Sequence, residues 1–77
     1  NPFNNTISIP VTVNNSSNVK IEIFDLIGRK VDTIFEGMIP IGQKIIKWNG
    51  SKATSGIYLI RSTIEKSKQS EKIILLK

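Results

Sequence analysis

Apolar residues recur at every second position through several short segments of the chain, and this spacing constrains the fold more than any other feature of the sequence. A period of two is typical of a strand with one buried face. In the first two segments this period places seven apolar residues on the buried face: Ile7, Ile9, Val11, Val13, Val19, Ile21 and Ile23. No segment keeps the three- and four-residue apolar spacing of an amphipathic helix. The sequence therefore predicts strands and no helix.

Turn-forming residues separate these segments. An Asn/Ser cluster fills 14–18, Gly28 is expected to supply the positive φ of a short hairpin loop, and Gly37 and Gly42 bracket a loop with a central proline. A polar loop follows at 49–56 and a charged hairpin tip at 65–70. Six or seven short strands at this spacing predict an all-β antiparallel sandwich that forms one domain over 1–77.

Three segments carry more specific expectations. Pro10 has no N–H for a ladder, so 6–13 is expected to form an edge strand or to break at the proline. The alternation slips by one between Val31 and Ile34, which a bulge near Asp32 and Thr33 explains. The segment 57–64 is the most continuously apolar one, and we expect it to be central and covered on both faces.

Composition excludes several classes of function. The chain has no Cys and no His, so we expect no transition-metal site and no catalysis by a His-activated nucleophile. A sandwich of this size offers no cleft for a catalytic pair of carboxylates. We therefore expect no enzyme, no cofactor and no small-molecule substrate. The net charge of +5 fits an acidic partner, but the lysines are spread and no aromatic residues alternate with them. A soluble surface with lysines at strand edges is favoured over nucleic-acid binding.

Five motifs occur in a fixed order along the chain. They read NPFN at 1–4, VKIEIFDLIGRKV at 19–31, GQKIIKWNG at 42–50, SGIYLIRS at 55–62 and EKIILLK at 71–77. Together they resemble the type A C-terminal sorting domains of the bacterial type IX secretion system. These are similar in fold to the Ig-like domain of flagellar hook-capping proteins. The resemblance covers the whole chain and implies an Ig-like antiparallel β-sandwich of about seven short strands.

The resemblance also implies a function. Such a domain follows a cargo domain and acts as a folded, non-catalytic secretion signal. It directs its parent protein through the periplasm and across the outer membrane to the cell surface or the extracellular medium. The implied partners are the outer-membrane secretion machinery and a sortase-like surface protease.

Individual positions match the motifs of the family. The matches that we expect to be structural are Asn1, Pro2, Phe3, Asp25, Trp48, Gly50, Gly56 and Tyr58. The candidates for recognition are Gly28, Arg29, Lys72, Ile73, Ile74, Leu75, Leu76 and Lys77. Asn49 stands where related sequences often carry Asp, which weakens the case for a calcium site there.

Structural explanations stand beside these assignments. The glycines are most simply turn residues, and Phe3 is expected to seal one end of the sandwich. Trp48 shares a face with Ile46, which favours the core over an exposed sugar-stacking platform. Tyr58 is expected to bond a nearby loop through its hydroxyl. Arg29 either pairs with an aspartate of the hairpin or faces a partner. The alternative functions are a structural Ig-like spacer and, less favoured, a carbohydrate-binding module.

Overall fold

The computed structural model describes residues 5–76, and every regular element in this part of the chain is a strand. The strands are β1 (Thr6–Val13), β2 (Ser17–Asp25), β3 (Lys30–Ile39), β4 (Gly42–Asn49), β5 (Gly56–Ile64) and β6 (Ser67–Leu75). No helix that could cross a membrane occurs within 5–76. The all-β prediction is confirmed, with six strands in the described residues where about seven were expected.

The strands form two antiparallel sheets. β1 pairs with β4 alone, and a four-stranded sheet has the order β3-β2-β5-β6. The inward residues of both sheets make one core: Val11, Val13, Val19, Ile21, Ile23, Ile39, Ile46, Trp48, Tyr58, Ile60 and Leu75. Full burial of one such side chain stabilises the fold by about 1.5–3 kcal/mol. The period of two thus fixes which residues enter the sandwich.

The sheet positions of β1 and β5 bear out part of the prediction. β1 lies at an edge and runs through Pro10 without a break. β5 is central, between β2 and β6. The expectation that β5 is covered on both faces is wrong, because its outward Ile57 is 38% exposed. Two layers make only one interface, so each sheet keeps one face open to solvent.

β3 contains the predicted irregularity and also runs further than expected. The register with β2 shifts between Ile21 and Glu22 and again between Ile23 and Phe24, on either side of the pairs formed by Thr33 and Asp32. The bulge prediction is therefore confirmed. β3 continues to Ile39, so the loop expected from Gly37 onward is wrong for 37–39. Burial of Ile39 and pairing with β2 extend the strand despite its glycine.

The last hairpin is tighter than the sequence suggested. A charged tip was expected at 65–70, but β6 begins at Ser67, which leaves only Glu65 and Lys66 in the turn. Glu65 adopts a positive φ of 55°. Pairing of 67–70 with β5 supplies ladder hydrogen bonds that outweigh the low strand propensity of these polar residues.

One end of the sandwich collects four features that are far apart in sequence. We call it the hairpin end, because it carries the β2–β3 hairpin at 25–30. Three other segments lie at this end: the β4–β5 loop, the start of β1 and the end of β6. Gly50 N–H in the loop donates to the carbonyl of Asn5, just before β1, at 3.0 Å. Gly56, the first residue of β5, pairs with Leu75 at the end of β6. Asp25 of the hairpin pairs with Tyr58 on the neighbouring strand.

Candidate recognition surface

The β2–β3 hairpin is held by a compact set of backbone bonds. Asp25 N–H donates to the Arg29 carbonyl at 2.9 Å, and Gly28 N–H donates to the Asp25 carbonyl at 3.1 Å. Gly28 has a φ of +97°, a conformation that costs a residue with a Cβ about 1–2 kcal/mol. The predicted turn role of Gly28 is confirmed, and it orients the two residues before it toward solvent.

The Asp25 carboxylate is the organising group of this turn. Oδ1 accepts the backbone N–H groups of Ile27 at 3.0 Å and Arg29 at 2.9 Å, and Oδ2 accepts Arg29 Nε at 2.9 Å. The backbone N–H of Arg29 is the main cause that lowers the pKa of Asp25 below its usual 3.8. Desolvation opposes this shift, while the Arg29 side chain and the Ile27 N–H reinforce it. The ionised carboxylate therefore shapes the loop.

The tip of the hairpin presents apolar and cationic side chains. Leu26 and Ile27 are both exposed, and they line a shallow depression of about 450 Å³ together with Val31 and Ile57. Arg29 also lines it, and its side chain is 74% exposed although it pairs with Asp25. Of the two roles left open for Arg29, pairing with Asp25 holds, and most of its side chain still faces solvent.

The end of β6 divides into two sets of residues. Leu75 is buried and Ile73 half-buried, so both belong to the core side of the strand. Lys72, Ile74 and Leu76 are exposed. The proposed recognition stretch from Lys72 onward therefore offers a partner only alternate side chains, and its final residue, Lys77, lies outside the described part of the chain.

Buried aromatic residues support the hairpin end from within. Trp48 is 3% exposed and donates its indole Nε1–H to Asp32 Oδ2 at 3.2 Å. Its ring meets Tyr58 edge to face, with centroids 5.7 Å apart. The Tyr58 hydroxyl donates to the Thr54 carbonyl at 2.6 Å. The core position of Trp48 and the loop bond of Tyr58 are confirmed, and Asp25 rather than Asp32 is the hairpin aspartate that pairs with Arg29.

Gly50 is a turn glycine as expected, since its carbonyl accepts the Ala53 N–H at 3.0 Å, whereas Gly56 is the first residue of β5. Neither has a positive φ. Gly50 is buried, and a Cβ there would lie 3.1 Å from Leu75 Cδ2 and 3.3 Å from the Trp48 ring. Gly50 is thus required for close approach between the β4–β5 loop and the end of β6. Phe3, which was expected to seal one end of the sandwich, lies outside the described residues, as do the other expected structural positions Asn1 and Pro2.

Two features of this surface were not among those predicted from the sequence. The Trp48–Asp32 hydrogen bond joins residues of different sheets, so no local sequence pattern could predict it. The exposed pair Leu26 and Ile27 did leave a signal, since two adjacent apolar residues are unusual in a hairpin turn. Across 5–76, no group of three or more acidic side chains is placed to hold a metal ion. Asn49 instead accepts the Ser51 N–H through Oδ1 at 3.0 Å.

Comparison with known proteins gives one match. The family model described as "Secretion system C-terminal sorting domain" matches residues 1–76, which is nearly the whole chain. Among the curated proteins and the solved structures, none matches the chain significantly.

Proposed function

Because the chain belongs to the family of secretion system C-terminal sorting domains, we propose that the hairpin end is the surface by which its export signal is read. The domain is a sorting signal for type IX secretion, so the protein that carries it is exported across the outer membrane to the cell surface or the extracellular space. The type IX machinery recognises this domain.

The convergence of two separate motifs carries the proposal. The turn at 26–29 and two exposed residues at the end of the chain, Ile74 of β6 and Leu76 just after it, are about fifty positions apart in sequence. They nevertheless reach the same end of the sandwich. Exposed apolar side chains that cluster on a small domain are typical of an interaction site. A partner that contacts the hairpin end therefore reads the folded arrangement rather than a linear peptide.

The partners that we propose are the outer-membrane components of the machinery and a sortase-like surface protease. The start of β1 supports this arrangement, because Asn5 is bonded to Gly50 at the hairpin end. A cargo domain joined before Asn1 would enter beside the recognition surface. A protease that cuts between cargo and domain would then act close to the site where the machinery holds the domain.

We also propose that the domain catalyses no reaction. Its most organised carboxylate, Asp25, is engaged by two backbone N–H groups and by Arg29, so it is occupied in shaping the hairpin. A carbohydrate platform needs an exposed aromatic ring, and Trp48 and Tyr58 are both buried. A purely structural spacer would have no need of the exposed Leu26 and Ile27.

The test is export of a fluorescent reporter that carries residues 1–77 at its C-terminus, in a bacterium with an active type IX system. Shortening β6 would remove the buried Leu75 and unfold the domain, so surface substitutions are used instead. We expect export of Arg29→Ala and Leu76→Asp reporters to fall by about tenfold, as for central residues of an interface. The measurement is the ratio of reporter in the medium to reporter in the periplasm.

A matched variant lies at the other end of the sandwich. Lys66 occupies the β5–β6 turn and is exposed, so Lys66→Ala removes a cation without touching the hairpin end. We expect its export to equal that of the unsubstituted reporter. Equal export of all four reporters would refute the assignment of the surface, and periplasmic retention of the unsubstituted reporter would refute the sorting function itself.

A further inference from the structure

On the outward side of β2, β5 and β6, the half near the hairpin end is apolar and the other half is polar. Near the hairpin end, Phe24 lies directly opposite Leu59, and Ile57 lies directly opposite Ile74. We call these four residues the apolar block. Ile57 is 38% and Ile74 63% exposed. Toward the other end, the outward positions of the same strands become polar, as at Thr63 and Ser70.

Cations border the apolar block. Lys30 lies opposite Phe24, the Arg61 guanidinium carbon sits 4.4 Å from the centre of the Phe24 ring, and Lys72 lies opposite Leu59. The nearest carboxylate on this face, Glu22, is buried between Lys20 at 3.7 Å and Lys30 at 3.6 Å. Its charge is therefore already balanced, and the border of the block remains positive.

The whole face has an excess of positive charge. The described strand positions that point outward from this sheet include five cations, Lys20, Lys30, Arg61, Lys68 and Lys72, and two carboxylates, Glu22 and Glu36. A face of this kind attracts a partner with negative charge around an apolar centre.

The other sheet offers a contrast. On the outward face of β1 and β4 the paired residues are Thr6 with Asn49, Ser8 with Lys47, Pro10 with Ile45 and Thr12 with Gln43. Ile45, 48% exposed, is the one large aliphatic side chain among these eight. A two-layered domain of this sequence can therefore keep an outer face polar, and the apolar block is not an unavoidable result of small size.

We propose that the apolar block is the docking face for a protein of the secretion machinery that presents apolar side chains bordered by carboxylates. This inference rests on the proposed function and extends it, because it moves the centre of recognition from the hairpin end to the adjoining outward face of β2, β5 and β6. Such a partner buries Ile57 and Ile74 and places acidic groups against Lys30, Arg61 and Lys72.

The charge pattern disfavours a second copy of the chain as the occupant. In a twofold dimer made face to face, the cations of one copy would meet the cations of the other, and like charges across an interface are unfavourable. Anionic lipid also has negative charge over an apolar interior, so it is included as an outcome of the experiment that would overturn the proposal.

The experiment uses the reporter described above with the double substitution Ile57→Lys and Ile74→Lys. We expect its export to fall at least about tenfold, because two central apolar contacts are lost and two cations are added where the partner is apolar. Ile45→Lys is the control on the other sheet, since it makes one such change at an exposure of 48%, between those of Ile57 and Ile74. We expect it to be exported like the unsubstituted reporter.

Two further measurements separate folding and lipid binding from docking. We expect the purified 77-residue double variant to remain folded with a Tm lowered by at most about 4–8 °C, because Ile57 is only 38% exposed and the two lysines would lie directly opposite each other. The purified chain is also mixed with phosphatidylglycerol vesicles and sedimented, and we expect it to stay in the supernatant at physiological salt.

The outcomes are distinct. Export of the Ile57→Lys, Ile74→Lys reporter at the unsubstituted level overturns the docking face but leaves the sorting function intact. Sedimentation of the unsubstituted chain with the vesicles at physiological salt overturns the protein partner in favour of a membrane surface. Retention of the unsubstituted reporter in the periplasm instead refutes the sorting function on which the inference rests.

Discussion

Replacement of Gly50 by alanine tests how tightly the hairpin end is packed. The added Cβ would lie 3.1 Å and 3.3 Å from the two Cδ atoms of Leu75 and 3.3 Å from Trp48 Cη2. Carbon atoms prefer separations of about 3.5–4.0 Å, so each contact is too short by a few tenths of an ångström. Leu75 and Trp48 are both 3% exposed, and neighbours on all sides limit how far they can move.

The expected magnitude is the difference between two opposing contributions. Overpacking of a filled core costs about 1–3 kcal/mol. Alanine in place of glycine also lowers the conformational entropy of the unfolded chain, which stabilises the folded state by about 0.4–1 kcal/mol. This gain applies at Gly50 because its φ is not positive. The net loss is therefore about 1 kcal/mol, which lowers the Tm of a domain of this size by about 4–8 °C. Thermal unfolding followed by circular dichroism and Trp48 fluorescence measures it.

A double-mutant cycle assigns the loss to Leu75. Valine at position 75 lacks both Cδ atoms, so the Gly50→Ala penalty should shrink in a Leu75→Val background, with a coupling of about 1 kcal/mol. The contact with Trp48 remains in both backgrounds and cancels from the cycle. An unchanged or higher Tm for Gly50→Ala alone, or the same penalty in both backgrounds, would refute the packing argument.

Two further predictions concern the hairpin end. Tyr58→Phe removes the hydroxyl that donates to the Thr54 carbonyl, so we expect the free energy of unfolding measured in urea to fall by about 1–2 kcal/mol. A fall below about 0.3 kcal/mol would show that this hydrogen bond does not stabilise the domain. The lowered pKa of Asp25 means that its contribution is present at pH values above 3.8 and is lost as the pH falls through the folded-state pKa. The stability difference between the unsubstituted chain and Asp25→Ala, followed by denaturant unfolding from pH 7 to pH 2, should therefore shrink toward low pH, and a constant difference would contradict the assigned role of the carboxylate.

The sequence predicted the elements of the fold better than their ends. Alternation placed Val19, Ile21 and Ile23 on the core side of β2 because the period of a strand is a local property. The extent of β3 depends instead on a partner: Gly37 and Met38 resemble a loop in isolation, but pairing with Val19 and Asn18 keeps them in the strand. Element boundaries set by cross-strand pairing cannot be obtained from one segment alone.

The candidate site was predictable only in part for the same reason. Gly28 and Arg29 belong to one turn, and their local geometry follows from turn chemistry. Which residues of β6 face the core was harder to predict, because Ile73 and Ile74 are the same residue type. Only the pairing of Ile73 with Tyr58 in β5 decides that Ile73 points inward. The apolar block unites β2, β5 and β6, so it exists only once strand order is known.

The contacts beneath the hairpin end imply that recognition depends on the folded state. Asp32 bonds Trp48 across the two sheets, Tyr58 ties the β4–β5 loop to β5, and Gly50 lets that loop meet Leu75. These contacts fix the positions of surface residues that come from four segments of the chain. A domain of this size has a small core and limited stability. Loss of any one contact therefore lowers the population that displays the complete surface, and core substitutions should weaken export without touching a partner.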